Sequence, residues 1–533
     1  MHPDLFAREA IAQIPKILTL MDRNRHSPTY GCFDRNFWQY KIIDFPSGMS
    51  QEFVLPLALA YHTSLTDNPF YLQLVLRDWV EAGILYAAQS AHPDGSCDDY
   101  FPFERAGGAA AFSLLACLDS YRLMGLENAD ILQFFAKRAD WLAHHHESGQ
   151  LTNHQALIVL CLELLSRLLS TDQWDRAKVQ RLERVLDWQD PEGWFQEYEG
   201  CDPGYHTLTI SCLARIYEFN PDPRLKEALI RAVDLASHFV HPDGSYGGEY
   251  TSRNTYNFFP HGFELVGHWY PEALRINDQF LNGLARGLAP CYADDHIVGH
   301  HTWNYLLAWR DFAPRSEIET LPPRPEKERI WLKNARVLID RRDCTHLYLA
   351  LNKGGVFKLF REDRLIASDT QFSVQVQQGR KLKNAVAHLV SDYTVDITDD
   401  EIQIRGKLGW AKQKQMTPLN LMILRVVMLT VGRFFPNVIR SLLQKVLIVG
   451  KAEAPFEFRR SLCWQAGQWV VTDELRANDW SKVKSVAIGC DQTSIYVVMS
   501  RTYQAGQLQP WLDLTDEVRS LSAGEPLRIE RRW

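Results

Sequence analysis

The sequence predicts a multidomain α+β protein: an N-terminal (α/α) toroid of five or six helical hairpins, followed by an antiparallel β-sandwich that carries a helical insertion. Three observations lead there. A Gly-centred turn rich in acids and aromatics recurs at Gly95, Gly149, Gly193 and Gly244, at spacings of 54, 44 and 51 residues. A period of about 50 residues suits one helical hairpin plus its connections, and repeated hairpins close or stack into an array. From about residue 50 to 312 apolar residues return every three or four positions, and beyond 330 the period changes to alternation.

Taken along the chain, LPLALAYHTSL, FYLQLVLRDWVEAGILYAA, AAAFSLLACLDSYRLM, ILQFFAKRADWLAHH, ALIVLCLELLSRLL, TLTISCLARIYEF and ALIRAVDLASHFV each present an apolar helix face. They are assigned to a toroid over residues 1–313, with the polar turns gathered at one end. YGCFDRNFWQYKIIDFPSGMSQE, residues 30–52, precedes the repeats and reads as a structural N-terminal strap; the alternative is that it folds over the toroid mouth and adds Arg35, Trp38, Tyr40 or Lys41 to the site. Residues 314–329 concentrate proline and charge and read as a linker. The sandwich, residues 330–533, is read from THLYLAL, FKLFRE, FSVQVQQ, YTVDITDDEIQIRGKL, FEFRRSLCW, QWVVTDEL and SIYVVMS, short runs rich in β-branched and aromatic residues between turn signals.

Residues 417–451 break the strand pattern. They are apolar, helix-like and interrupted by Pro436. No acid occurs between Glu401 and Glu453, whereas Arg405, Lys407, Lys412, Lys414, Arg425, Arg433, Arg440, Lys445 and Lys451 are basic. Two readings stand side by side: an amphipathic hairpin on an anionic membrane surface, or an insertion that packs on the toroid.

With 46% apolar and 23% charged residues in 533, the chain has the make-up of a globular protein of two or three domains. A net charge of −7 offers no general attraction for polyanions, so no nucleic-acid partner is expected and an anionic ligand must be held by local groups. The ten cysteines are scattered without a CxxC pair, and Cys117, Cys161 and Cys212 fall within helical runs, so they read as reduced core thiols. The N-terminal MHPDLFAREAIAQIPKILTL lacks the basic start and long apolar core of an export signal. A cytoplasmic location is expected, peripheral at the inner membrane face if 417–451 lies on the bilayer. Oligomeric state does not follow from the sequence.

The repeat also aligns chemistry. Asn153 and His154 in GQLTNHQAL and Tyr205 and His206 in PGYHTLTI stand one repeat apart, and Arg253 follows Tyr205 by 48 residues. The toroid-then-sandwich layout together with these two pairs resembles the heparinase II/III-like and alginate or chondroitin lyase superfamily, which includes uronyl C5-epimerases. The resemblance implies proton abstraction from C5 of a uronate in an acidic polysaccharide or oligosaccharide, then β-elimination, without a redox cofactor. In that chemistry Asn153 is the candidate for neutralising the carboxylate as charge develops. His154 or His206 is the candidate base and Tyr205 the candidate acid, or base and acid both, with Tyr250 as its rival for the acid role. Members of the group often carry a metal-binding His and Asp set in the first sandwich strands. FKLFREDRLIASDTQFSVQV has no His, so no metal is carried over.

The fourth turn, GGEYTSRNTYNFFPHGFE, adds Tyr250, Arg253, Asn254, Tyr256 and His261: aromatics stack on sugar faces, and an arginine grips a carboxylate bidentately. Asp98, Asp99 and Glu104 in the first turn, Trp194, Glu197 and Glu199 in the third and Glu249 in the fourth complete the candidate sugar-binding set. Two of these acids at suitable separation would instead serve an inverting glycoside hydrolase. The same layout would also suit a C5-epimerase or a noncatalytic carbohydrate-binding component of exopolysaccharide assembly. His144, His145 and His146 read as a solvated helix end, and His296, His300 and His301 lack a second set of metal ligands.

Overall fold

The computed structural model describes residues 3–147, 149–197, 200–292, 295–315, 327–389, 393–411, 416–435, 438–439, 452–492 and 502–533. Thirteen α-helices make up its first part: α1 Asp4–Ile11, α2 Ile14–Leu20, α3 Val54–His62, α4 Leu74–Gln89, α5 Gly107–Leu123, α6 Ala129–His144, α7 Thr152–Leu169, α8 Asp175–Asp187, α9 Pro203–Phe219, α10 Pro223–Ser237, α11 His261–Gly267, α12 Glu272–Ala285 and α13 Asp295–Arg310. Each of α3, α5, α7, α9 and α11 packs on the next of the series, α11 packs on α13, and α13 returns to α3. That closes an inner ring of six helices among the described residues. Helices α4, α6, α8, α10, α12 and α1 form the outer ring, so the upper end of the expected five or six hairpins is the one realised.

Burial follows position in the two rings. The inner helices α5, α7 and α9 are buried on nearly every side, whereas the outer α8 buries only Arg181 and Val185. An all-round apolar helix needs neighbours on all sides, and an amphipathic one needs a single partner. Because α3, α5, α7 and α9 are each followed by an outer helix running back, they are parallel and their N-termini share one end, whereas the short α11 begins at His261, toward the C-terminal ends of its neighbours. The Gly-centred turns sit at that end, with positive φ at Gly95, Gly149, Gly193 and Gly244, backbone that L side chains rarely adopt.

Among the described residues the second part is built on two large antiparallel sheets. A five-stranded meander runs β1 Lys327–Leu332, β2 Val337–Arg342, β3 Thr345–Ala350, β4 Val356–Arg361 and β5 Arg364–Asp369. A nine-stranded sheet includes Phe372–Gln378, Lys381–Val386, Glu401–Ala411, Glu453–Gln465 and Gln468–Ala477. The smaller sheet is a middle layer. Leu338, Leu347, Leu349, Phe357 and Leu359 face the large sheet's Ile402, Ile404, Phe458 and Val471. Their neighbours Val337, Ile339, Tyr348, Ala350 and Phe360 join the toroid core. Period-2 alternation thus serves two cores at once. The first strand begins at Lys327, inside the 314–329 stretch; residues 316–326 lie outside the described set.

The insertion leaves the large sheet between Glu401–Ala411 and Glu453–Gln465 and is helical at Pro418–Val427, capped by Thr417 Oγ1 accepting from Asn420 N. This helix buries none of its residues. Pro436 and residues 440–451 of the expected hairpin lie outside the described set.

Candidate active site at the toroid mouth

The N-terminal ends of α5, α7 and α9 bring the candidate groups together. Asn153, at the start of α7, donates from its backbone N to Glu197 Oε1 at 2.8 Å and from Nδ2 to Glu197 Oε2 at 2.7 Å. Glu197 lies on the short hairpin after the third Gly turn, where Gln196–Glu197 pairs with Gly200–Cys201. Arg253, from the fourth turn, donates from Nη2 to Glu197 Oε2 at 3.2 Å and from Nε to Asp202 Oδ2 at 2.5 Å. Its guanidinium lies 4.4 Å from the centre of the Tyr205 ring. Asn153, Tyr205 and Arg253, matched in sequence only by spacing, therefore meet through one carboxylate and one stacking contact.

Asp202 fixes that meeting. It N-caps α9 by accepting from Tyr205 N at 3.1 Å, and it also accepts from Thr255 Oγ1 at 2.6 Å. One side chain thereby sets where the helix starts, where Tyr205 stands and where the fourth turn docks. Glu197, Asp202, Asn153 and Arg253 are all buried. Burial outweighs the attraction of Arg253 and raises the Glu197 pKa above the ordinary carboxylate value. The Asn153 carbonyl oxygen, Oδ1, is buried without a hydrogen-bond partner.

His154, the next residue on α7, is partly exposed. Its Nδ1 lies 2.5 Å from Glu147 Oε2, so a carboxylate orients the imidazole. The Gly107–Gly108 pair opening α5 makes room for this dyad: a Cβ on Gly108 would fall 2.6 Å from the His154 ring, and one on Gly107 2.8 Å from Glu147 Oε1. A second dyad lies deeper, where His300 Nδ1 is 2.6 Å from Glu52 Oε2. Phe112 joins the two, stacked on His300 at 4.0 Å and edge-on to His154 at 6.5 Å.

Other expected residues stand elsewhere. His206 points into the wall, donating from Nε2 to Ala232 O at 2.8 Å; it is fully buried, and burial pulls its pKa down to about 4. Tyr250 is buried against Tyr348 of β3, its hydroxyl 3.0 Å from His241 Nε2, where it seals the toroid against the middle sheet. Tyr256 donates its hydroxyl to Glu249, which also pairs with Lys358 of β4 at 3.0 Å. Lys353 holds that turn by donating to Glu249 O and Thr251 O, each at 2.8 Å, and burial pushes its pKa down to about 7. Asn254 is buried with φ +62, and its Oδ1 has no partner.

His261 lies at the opposite end of the ring, 2.8 Å from Asp311 Oδ2. It lines a cavity of about 390 Å³ with Asp119, Arg215 and Arg310. The fourth turn is thus divided between the mouth, through Arg253, and packing. In the first turn, Glu104 Oε2 accepts from the backbone of Asp99 and Tyr100, Asp98 accepts from Phe103 N and Arg105 N, and Asp99 Oδ1 accepts from Ser47. Trp194 is a core residue with Nε1 on Glu192. Glu199 and the His296 side chain lie outside the described set. His144 bonds Asp140 O and His145 stacks on Trp141. Among the described residues no group of three His, Cys, Asp or Glu side chains is arranged to hold a metal.

Sequence reasoning does not find Glu147, Asp202, Glu52 and His300 as partners. Asp202 had a signal, since Asp-Pro-Gly before an apolar run is an N-cap followed by proline at the first helical position. Glu52 had none, because its partner is 248 residues away.

No family model matches the chain, and no curated protein does. Among solved structures it is similar to a Paenibacillus xanthan lyase, at 12% identity and TM-score 0.47, covering 99% of this chain and 57% of that one. It is also similar to a heparinase III, at 12% identity and TM-score 0.49, covering 93% and 78%. A Streptomyces coelicolor chondroitin AC lyase variant is similar at 10% identity and TM-score 0.48, covering 91% and 67%. The chain spans little more than half the length of the xanthan lyase.

Proposed function

We propose that the protein is an enzyme acting on a uronate-containing polysaccharide or oligosaccharide, abstracting the C5 proton and eliminating the glycosidic oxygen, in exopolysaccharide metabolism. The observation that carries this reading is the pairing of an oriented histidine, His154 on Glu147, with its chain neighbour Asn153 in a buried network that extends through Glu197 and Arg253 to Tyr205.

In this reaction His154 takes the C5 proton, Glu147 holding the imidazole and stabilising the charge it gains. Tyr205 delivers a proton to the leaving oxygen, the fixed guanidinium of Arg253 steadying its ring. For the substrate carboxylate, as negative charge spreads onto it, Asn153 has the one Nδ2 hydrogen that Glu197 does not take. Arg253 is a positioning residue here, because both of its carboxylate partners are internal.

Support for elimination over hydrolysis comes from the carboxylates. Glu197 and Asp202 are fully buried and bound by Arg253, and Glu249 is bound by Tyr256 and Lys358. An inverting hydrolase needs one carboxylate open to water and another open to the leaving group. Epimerisation uses the same first step and differs in returning a proton to the opposite face.

The test is incubation with a panel of uronate polymers, following the ultraviolet absorbance of unsaturated uronate ends. Growth of that band, abolished by His154→Ala and by Tyr205→Phe, is the expected result. New reducing ends without the band would replace this reading with hydrolysis.

A further inference from the structure

The described part of the insertion inverts the usual order of a folded surface. On the Pro418–Val427 helix, Leu419, Met422, Ile423 and Val426 stand at i, i+3, i+4 and i+7, the spacing of one helix face. All four are exposed. Leu421, Leu429, Val431, Phe434, Phe435 and Val438 are exposed as well, and at 65% Phe434 is barely covered. A contiguous apolar surface of this kind marks a contact with something else.

Charge says what. Between Glu401 and Glu453 the chain has nine basic residues and no acid, within a protein of net charge −7; Arg405 and Lys407 belong to the sheet, where they pair with Asp396 and Glu453, and the other seven follow in the insertion. Arg433 is exposed and stacked on Phe434, a cation carried alongside an apolar side chain. A second copy of this chain would bring a like-charged face against it, whereas an anionic lipid surface supplies both apolar depth and opposite charge. Among the described residues no helix is long and apolar enough to cross a membrane, so the fit is to a helix lying in the interface.

The helix is also held in place. Arg425 Nη2 pairs with Asp44 Oδ1 at 2.8 Å, and its guanidinium lies over Phe45 at 5.4 Å. Nearby on the same strap Ile42 is fully exposed and Tyr40 is 70% exposed. Three residues beyond Asp44, Ser47 Oγ donates to Asp99 at 2.6 Å, and Gly48 N bonds Asp98 O at 2.7 Å, both in the first turn at the mouth. One strap therefore carries the apolar helix at one point and the toroid mouth at the next.

We propose that the insertion helix, with the strap tip at Tyr40 and Ile42, seats the protein on an anionic phospholipid surface beside the toroid mouth. Glycans held at that surface would then meet the mouth directly; this consequence rests on the proposed reaction, while the lipid contact does not.

The experiment is flotation of the full chain, without carbohydrate, on vesicles of phosphatidylcholine alone and of phosphatidylcholine mixed with phosphatidylglycerol. Binding to the mixed vesicles is expected to exceed binding to phosphatidylcholine by about tenfold or more, and to fall as salt rises. Met422→Asp with Val426→Asp removes it, and Arg433→Glu weakens it about fivefold or more. These positions are exposed, and an unchanged far-ultraviolet circular dichroism spectrum checks that each variant is folded. Equal binding to both vesicle types would overturn the role of charge. No flotation would overturn the proposal, whether sedimentation then shows self-association through this face or a monomer. Because no substrate is present, either failure leaves the proposed reaction untouched.

Discussion

The toroid mouth and the insertion helix depart from ordinary burial in opposite directions. At the mouth, charged and amide groups are buried: Glu197, Asp202 and Arg253 sit in the interior, each satisfied by another. On the insertion, Leu419, Met422, Ile423 and Val426 are left outside. Buried charge is costly unless paired, so the mouth is held by the mutual dependence of a few residues. Exposed apolar surface costs the fold little and leaves the insertion tolerant of change. The two regions should therefore respond to mutation in opposite ways.

The largest difference is expected from Arg253→Ala. It leaves Glu197 and Asp202 as buried carboxylates without their shared cation, and denaturant unfolding is expected to show a loss of about 3–5 kcal/mol. A loss under about 1 kcal/mol would mean that water or protonation replaces the arginine, and the contrast with the insertion would collapse.

The wall behind the mouth gives a pH-dependent effect of similar size. His206 is buried neutral, with its pKa pulled from the ordinary 6.5 to about 4. The unfolded chain takes up a proton at this residue before the folded one does. Its contribution is therefore complete above pH 6.5 and is lost as pH falls through that window toward about 4, for a total of about 3 kcal/mol. Stability measured across this range should fall with acid, and His206→Gln, which keeps a donor for Ala232 O, should make the fall shallower. An unchanged slope would show that His206 is not buried neutral.

Gly108→Ala separates positioning from stability. Alanine favours the helix by up to about 1 kcal/mol over glycine, but its Cβ would fall 2.6 Å from the His154 ring and displace it. Near-normal unfolding with a loss of turnover of about tenfold or more is expected. The smallest effect belongs to the insertion, where Val426→Asp should change unfolding by no more than about 0.5 kcal/mol. A larger loss would mean that this face is covered.

These contrasts track what the sequence could convey. The repeat locates residues around the ring, because each period returns the chain to the same end, and so Asn153, Tyr205 and Arg253 could be matched by spacing alone. It does not say which way a side chain points. Tyr205 and His206 are adjacent in sequence, yet a step of about 100° around a helix turns one toward the mouth and the other into the wall. Tyr250, Tyr256 and His261 stand out in sequence for their chemistry, and packing decides them otherwise: two meet the middle sheet's side of the toroid and one the far end of the ring.

The strand Val337–Arg342 escapes the alternation pattern for a physical reason. It is covered by the toroid on one face and by the large sheet on the other, and its first four residues are all buried. The insertion is legible as apolar and basic, but exposure belongs to the folded chain and cannot be read from composition.

The central claim is that His154, set by Glu147, removes a proton from a uronate carbon. Its most direct measurement is C5 hydrogen–deuterium exchange, followed by NMR on a uronate oligosaccharide in D₂O with the wild-type protein and with His154→Ala. Exchange or elimination in the wild type, lost in the variant and retained when Val426→Asp alters only the insertion, is the predicted result. Exchange that continues undiminished in His154→Ala would contradict it.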